Sequence, residues 1–292
     1  MRLLIVGAKG MLAHDVLRAG ELAGHEPVGV DLPELDITEE AVVDAFFERE
    51  RPDACINCAA WTDVDGAESQ RELARAVNVD GAGNLARAAA GLGAPLLHVS
   101  TDYVFDGVAP LDGDGRPRPY VESDPTGPRS VYGETKLEGE RLVLAASPRN
   151  TVVRTAWLYG VAGRNFVETM LRLAGEREAV EVVDDQIGSP TWSGHLAPAL
   201  LGLLERGVRG LVHLTGTGEV SWNGFAREIF RQAEVRCEVR PITSAKISRP
   251  APRPAWSALE SERAEVLPMP PWQDGLAGYL AAGKGIENTT RV

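Results

Sequence analysis

The chain has 292 residues, 44% of them hydrophobic and 25% charged, which is an ordinary globular composition with ample material for a core. Its formal charge of -12 argues against sequence-independent nucleic-acid binding, which needs a basic surface. No apolar run approaches the ~20 residues of a membrane span, so no membrane partner is expected.

Met1-Arg2-Leu3-Leu4-Ile5-Val6-Gly7 reads as a strand rather than a signal peptide, and a cytoplasmic protein follows. Further strands are predicted at Val28–Asp31, Ala54–Ala59, Leu96–Ser100 and Thr151–Ala156. Helices are predicted at Met11–Ala23, Glu39–Arg49, Glu72–Gly91 and Val131–Ala145. This alternation of near-continuously apolar strands with helices implies α/β architecture, a doubly wound parallel (Rossmann) sheet buried on both faces. Past Tyr159 the rhythm changes: a helix at Asn165–Ala174, a strand at Val180–Val183, and a loop at Asp184–Thr191. Ser193–Arg206 and Leu211–Leu214 read as one more helix–strand unit of the main sheet, and Ser221 caps a helix running to Ala233. Prolines crowd residues 241–271, where ordered loops with short helical pieces are expected. The division is thus a dinucleotide-binding domain at 1–160 plus 192–216, a smaller substrate-binding lobe at 161–191 plus 217–282, and a frayed tail at 283–292.

Three cysteines make no disulfide framework. Cys55 and Cys58 have a redox or zinc spacing, but on a strand residues three apart point to opposite faces, so both are read as core cysteines.

Gly7-Ala8-Lys9-Gly10-Met11-Leu12-Ala13 follows a strand and opens a helix. Gly7 permits the tight turn, Gly10 lets backbone approach a pyrophosphate, and the free N–H groups around Met11 and Leu12 face the phosphates. Asp31 ends the second strand, where a carboxylate bonds the adenosine ribose and favours NADH. Lys9 could offset the repulsion of a 2′-phosphate, so NADPH or NADH stays open. Asp36 and Ile37 either flank the adenine or, for Asp36, cap the turn before Thr38. Ala59 and Ala60 are small where backbone passes under a cofactor, and Trp61 either joins them or packs.

Tyr132 and Lys136 are four apart on a predicted helix and share one face. An ammonium there is expected to pull the phenol's pKa down toward neutrality, which makes a proton donor. Thr101 ends the fourth strand, the end that faces the ligand crevice in open α/β sheets. With glycine loop, strand-end threonine and Tyr-x-x-x-Lys in order, the chain resembles the extended short-chain dehydrogenase/reductase family. Cys58-Ala59-Ala60-Trp61-Thr62-Asp63-Val64-Asp65 followed by Ala67-Glu68, Ser100-Thr101-Asp102-Tyr103-Val104-Phe105, Val131-Tyr132-Gly133-Glu134-Thr135-Lys136, Arg154-Thr155-Ala156-Trp157-Leu158-Tyr159, Asp185-Gln186-Ile187-Gly188-Ser189-Pro190-Thr191 and Arg253-Pro254 are similar to its dTDP-4-dehydrorhamnose reductase group.

The resemblance implies reduction of a dTDP-4-keto-6-deoxysugar with NADPH or NADH. Tyr132 would donate the proton, Lys136 would hold the nicotinamide ribose, and Thr101 would polarise the keto group. Val64, Asp102, Tyr103 and Trp157 would line the sugar pocket, although Trp157 also reads as a packing residue. Arg253 would meet the diphosphate or stand as a loop arginine, and residues 186–191 bound the nucleotide end or form a turn. Nucleotide-sugar 4,6-dehydratases share the fold but carry a glutamate base where Tyr103 stands, so elimination is disfavoured. A sister 4-ketoreductase and a non-catalytic subunit resembling the methionine adenosyltransferase beta subunit remain as alternatives. Some relatives use magnesium at a dimer contact, but no ligand cluster stands out here and no metal ligand is assigned. Whether the chain forms a homodimer stays open.

Overall fold

The computed structural model describes residues 1–289. Six parallel strands form the central sheet: β1 (Arg2–Val6), β2 (Glu26–Val30), β3 (Ala54–Asn57), β4 (Leu96–Thr101), β5 (Thr151–Thr155) and, later in the chain, β10 (Gly210–His213). Their order is β10-β5-β4-β3-β1-β2. Alternate residues of each strand feed opposite faces, as a period of two requires. Leu3, Ile5, Ile56, Leu97, Val153 and Val212 pack under α1 (Met11–Leu22) and α8 (Ser193–Glu205). Leu4, Val6, Cys55, Leu96 and Val152 pack under α2 (Glu40–Glu50) and α5 (Ala82–Gly91). Doubly buried strands explain the apolar runs.

The register brings Val6 beside Asn57 and Thr101 beside Thr155, so the carboxyl ends of the central strands finish in line. Strand order reverses between β1 and β3, and the crevice at such a reversal is where α/β sheets bind ligands.

The predicted helix 72–91 is broken. An unpredicted α3 (Val64–Ser69), whose Asp63 cap accepts from Gly66 N–H, precedes α4 (Arg71–Arg75) and a π-helical turn at Ala76–Gly81. The turn carries the buried Asn78, whose side chain bonds Trp61 and Thr135. One extra residue in a helical turn leaves no periodicity mark, so the sequence reading missed it. β3 also stops at Asn57, two residues before its predicted end, which leaves Cys58 beyond the strand. Cys55 is a buried core cysteine as read, but Cys58 lines the crevice instead.

α6 (Val131–Ala146) starts where Ser130 Oγ accepts from Gly133 N–H and Glu68 accepts from Val131 N–H. Two free amides of its first turn are thereby satisfied, and Tyr132 is fixed in that turn.

After β6 (Leu158–Tyr159) come α7 (Phe166–Glu176) and β7 (Ala179–Val183). The expected loop at 184–191 contains β8 (Ile187–Gly188), and β9 (Thr191–Trp192) pairs with β6. β11 (Val220–Ser221) leads into α9 (Trp222–Gln232), capped by Ser221. β12 (Glu238–Ile242) pairs with β7 and was hidden by Pro241; a two-stranded edge tolerates a proline. β13 (Trp256–Ser257) joins β8, and α10 (Trp272–Thr289) closes over the lobe. Most of the tail expected to fray lies on α10, and residues 290–292 fall outside the described residues. No helix among the described residues is long and apolar enough to cross a membrane.

Candidate active site

A cleft of about 740 Å³ opens along the carboxyl ends of β1, β3, β4 and β5. One end is the glycine turn. Gly7 has φ +83°, and a Cβ there would sit 2.7 Å from Ala59 N, so only glycine allows this contact between neighbouring strands. Gly10 precedes α1, and Gly10, Met11 and Leu12 line the cleft with the helix N-terminus. The Asp31 carboxylate accepts from Lys9 N–H at 3.0 Å and Leu32 N–H at 2.8 Å, which ties the glycine loop to the end of β2. Lys9 itself lies on the exposed rim, its Nζ donating to the Leu32 carbonyl.

Asp36 and Ile37 also border the cleft. The Asp36 carboxylate accepts from Thr38 N–H at 3.0 Å and Thr38 Oγ1 at 2.7 Å, so it does cap the local turn. Ala59, Ala60, Trp61 and Val64 form the floor. Trp61 combines both readings, since it lines the cleft while its indole donates to Asp63 O and it packs against the cluster of Ala67, Ala74 and Val131.

At the other end Thr101, Asp102, Tyr103, Tyr132, Lys136 and Trp157 line the same cavity. Thr101 Oγ1 donates to Asp102 Oδ1 at 2.9 Å, while the buried Asp102 Oδ2 has no hydrogen-bond partner among the described residues. Burial pushes the Asp102 carboxyl up to about 6. Tyr103 packs edge-on against Tyr132, with centroids 5.5 Å apart. A Cβ on Gly133 would sit 2.2 Å from Tyr103 O, so a glycine beside the tyrosine lets α6 press onto this loop.

The expected lysine-lowered phenol is not what the structure holds. Burial pushes the Tyr132 phenol up to about 12, with the Thr101 hydroxyl acting in the opposite direction. Lys136 Nζ is turned to Val99 O, 2.8 Å away, and to His98 Nε2, 3.0 Å away. Burial brings that amine down to about 8, although Glu140 acts to raise it. Desolvation outweighs the attraction anticipated from four-residue spacing. The phenol is therefore fully protonated at neutral pH, a state from which it can still donate.

Trp157 adopts φ +46°, stacks on Trp222 at 3.5 Å between centroids, and donates from its indole to Ser257 Oγ at 3.0 Å. It is both packed and pocket-facing. Arg253 lies outside this cavity, in two adjoining depressions, one shared with Tyr103 and Arg129 and the other with Arg249 and Gln186. Its guanidinium is forked onto Asp65 at 2.8 and 2.9 Å.

The sequence profile of the RmlD substrate binding domain matches residues 1–284. A dTDP-4-dehydrorhamnose reductase of Mycobacterium tuberculosis is 47% identical over 96% of this chain and 93% of its own. The chain belongs to the RmlD family, that of the dTDP-4-dehydrorhamnose reductases. A Bacillus anthracis family member solved in complex with NADP superposes with a TM-score of 0.91 at 37% identity, covering 96% of this chain and 99% of that one. A probable dTDP-4,6-dihydroxy-2-methyloxan-3-one 4-ketoreductase of Streptomyces antibioticus is 41% identical over 94% of this chain and 93% of its own.

Behind the lining of this RmlD-family cleft, the sequence reading gave no role to Asn57, Asp65, Asn78, His98 and Ser257, which bond Ala59, Arg253, Trp61, Lys136 and Trp157. Asn78 accepts from Trp61 N–H and donates to Thr135 Oγ1, tying the floor to α6. His98 lies three residues before Thr101 on β4, and strand alternation alone says only that it is buried. Among the described residues no group of three or more His, Cys, Asp or Glu side chains is placed to hold a metal ion.

Proposed function

We propose that the protein reduces the 4-keto group of dTDP-4-dehydrorhamnose (dTDP-4-dehydro-6-deoxy-L-mannose) to give dTDP-L-rhamnose, with NADPH or NADH as reductant. The observation that carries the reading is one cleft with a glycine turn and helix N-terminus at one end and Thr101, Tyr132 and Lys136 at the other. The residues fit a dinucleotide: Gly7 makes the tight turn that brings the loop against Ala59, and the N–H groups opening α1 suit a pyrophosphate. Asp31 would accept from the adenosine ribose hydroxyls, with Asp36 and Ile37 beside the adenine. Lys9 at the rim suits a 2′-phosphate. Ala59, Ala60 and Trp61 would lie along the cofactor's path, with Lys136 at the second ribose. The dinucleotide supplies the hydride.

Tyr132 holds its phenolic proton at neutral pH and would deliver it to the keto oxygen as negative charge develops there. The Thr101 hydroxyl, turning its single proton away from Asp102, would donate to the same oxygen. Val64, Asp102, Tyr103 and Trp157 would enclose the sugar, and Arg253 would meet the diphosphate, for which its fork is suited. A reductive biosynthetic step of this kind, with three free cysteines, fits a cytoplasmic enzyme.

The test is turnover of dTDP-4-dehydrorhamnose by the purified chain, with NADH and NADPH in parallel and NMR identification of the product. dTDP-L-rhamnose is expected. A different epimer would favour a sister 4-ketoreductase, a reading the Streptomyces antibioticus relative supports. No cofactor oxidation without a partner protein would overturn the catalytic reading in favour of a binding role.

A further inference from the structure

The Lys136 amine is met from inside the protein by a line of hydrogen bonds whose direction is fixed at its origin. Ala59 N–H, a group that can only donate, bonds Asn57 Oδ1 at 2.9 Å. That orients the amide, so Asn57 Nδ2 donates to His98 Nδ1 at 3.0 Å. A neutral imidazole accepting at Nδ1 carries its proton on Nε2. Nε2 lies 3.0 Å from Lys136 Nζ and therefore points a donor at it. Asn57, His98 and Lys136 are all buried. A donor facing an ammonium is a conflict, and the same donor facing a free amine's lone pair is a hydrogen bond.

We propose that Asn57 and His98 are positioning residues that hold Lys136 as the uncharged amine in the cofactor-free protein at mildly alkaline pH, and that Lys136 takes a proton from solvent when the dinucleotide binds. The inference rests on Lys136 meeting the nicotinamide ribose, as read above. Nζ keeps one N–H on Val99 O and has another for the cleft. The charged and titratable groups around it are few. Cys58 faces it from beyond β3 with its thiol pushed up to about 12 by burial, so it stays neutral. Tyr132 and Glu140 lie on its own helix, and Glu140 is occupied by Arg154 of β5 and by Ser100 of β4. Asp102 lies just past the end of β4, bonded to Thr101. Burial is the main reason His98 stays neutral, with repulsion from Lys136 second.

Two measurements test this. Nitrogen-15 NMR of histidine-labelled, cofactor-free protein should show His98 as the Nε2–H tautomer; an Nδ1–H signal would overturn the relay. Calorimetric titration with NADPH and NADH, in buffers of different ionisation heat near pH 8, should show net proton uptake. The dissociation constant should rise about tenfold per pH unit once Lys136 loses its proton. Asn57→Asp puts an acceptor opposite Nδ1 and reverses the line, so its alkaline rise should begin about one pH unit higher with smaller uptake. His98→Gln, which can turn an oxygen toward Nζ, should shift the same way if the aspartate variant does not fold. Binding with no proton uptake by the wild type would sink the relay while leaving the dinucleotide reading intact. Absence of any dinucleotide binding would sink both.

Discussion

Thr101 and Asp102 share a hydrogen bond in which the threonine hydroxyl donates across 2.9 Å to a carboxyl whose second oxygen has no partner among the described residues. Burial raises that carboxyl from the ordinary carboxylate range to about 6. A raised acid favours the protonated folded form, so its contribution is fully present at low pH and is lost as pH rises through this window. Asp102→Asn keeps an acceptor for Thr101 and removes the buried charge. It should stabilise the protein by ~1–3 kcal/mol at about pH 8, with the gain gone by about pH 4. Urea midpoints at the two pH values check this, and an equal gain at both would refute the assignment.

Tyr132→Phe tests the proton donor. The ring can still pack against Tyr103, so the fold and the dinucleotide affinity should hold. Loss of a positioned acid should lower kcat by roughly 10²–10⁴. Steady-state rates together with a binding titration distinguish this from general disruption: a matching loss of dinucleotide affinity would argue that Tyr132 is structural.

The sheet was legible because its strands are buried on both faces and alternate regularly with helical stretches. The glycine turn was legible because a tight turn with a close approach, as Gly7 makes to Ala59, admits one residue type. What stayed hidden depends on contacts between distant segments. The π-turn that carries Asn78 leaves no repeat, and Pro241 masked an edge strand that only its pairing with β7 reveals. The Tyr132 and Lys136 side chains do line one cavity, but the direction of the phenol's shift was misjudged. Spacing tells which groups are near, whereas burial, known only from the fold, decides which charge state survives.

Arg253 and Asp65 make a further test. The guanidinium is forked onto the carboxylate, and this hydrogen bonding, more than charge alone, holds Asp65 below the usual carboxylate range. Asp65 therefore orients an arginine that would otherwise swing with its loop. Arg253→Met should raise KM for the nucleotide sugar about tenfold or more while kcat changes little, as expected for loss of a charge-assisted contact remote from the keto group. Asp65→Asn should give a smaller rise in KM. A drop in kcat at unchanged KM would place Arg253 elsewhere in the reaction.

Glu140 and Arg154 meet beneath the catalytic helix with side chains only 3% and 4% exposed, and Ser100 donates to the same carboxylate. The guanidinium also lies over the Phe105 ring, 5.0 Å from its centroid. A buried pair of this kind contributes little over an apolar replacement, but removing one partner leaves the other charged and dry. Glu140→Gln should therefore cost ~3–5 kcal/mol of stability, measured by urea unfolding. It should also depress the Lys136 amine further, because Glu140 is the leading group that raises it. The double change Glu140→Met with Arg154→Leu should recover most of the stability without restoring that charge support. A single variant within about 1 kcal/mol of wild type would show that water reaches the pair and that the site is not anchored there.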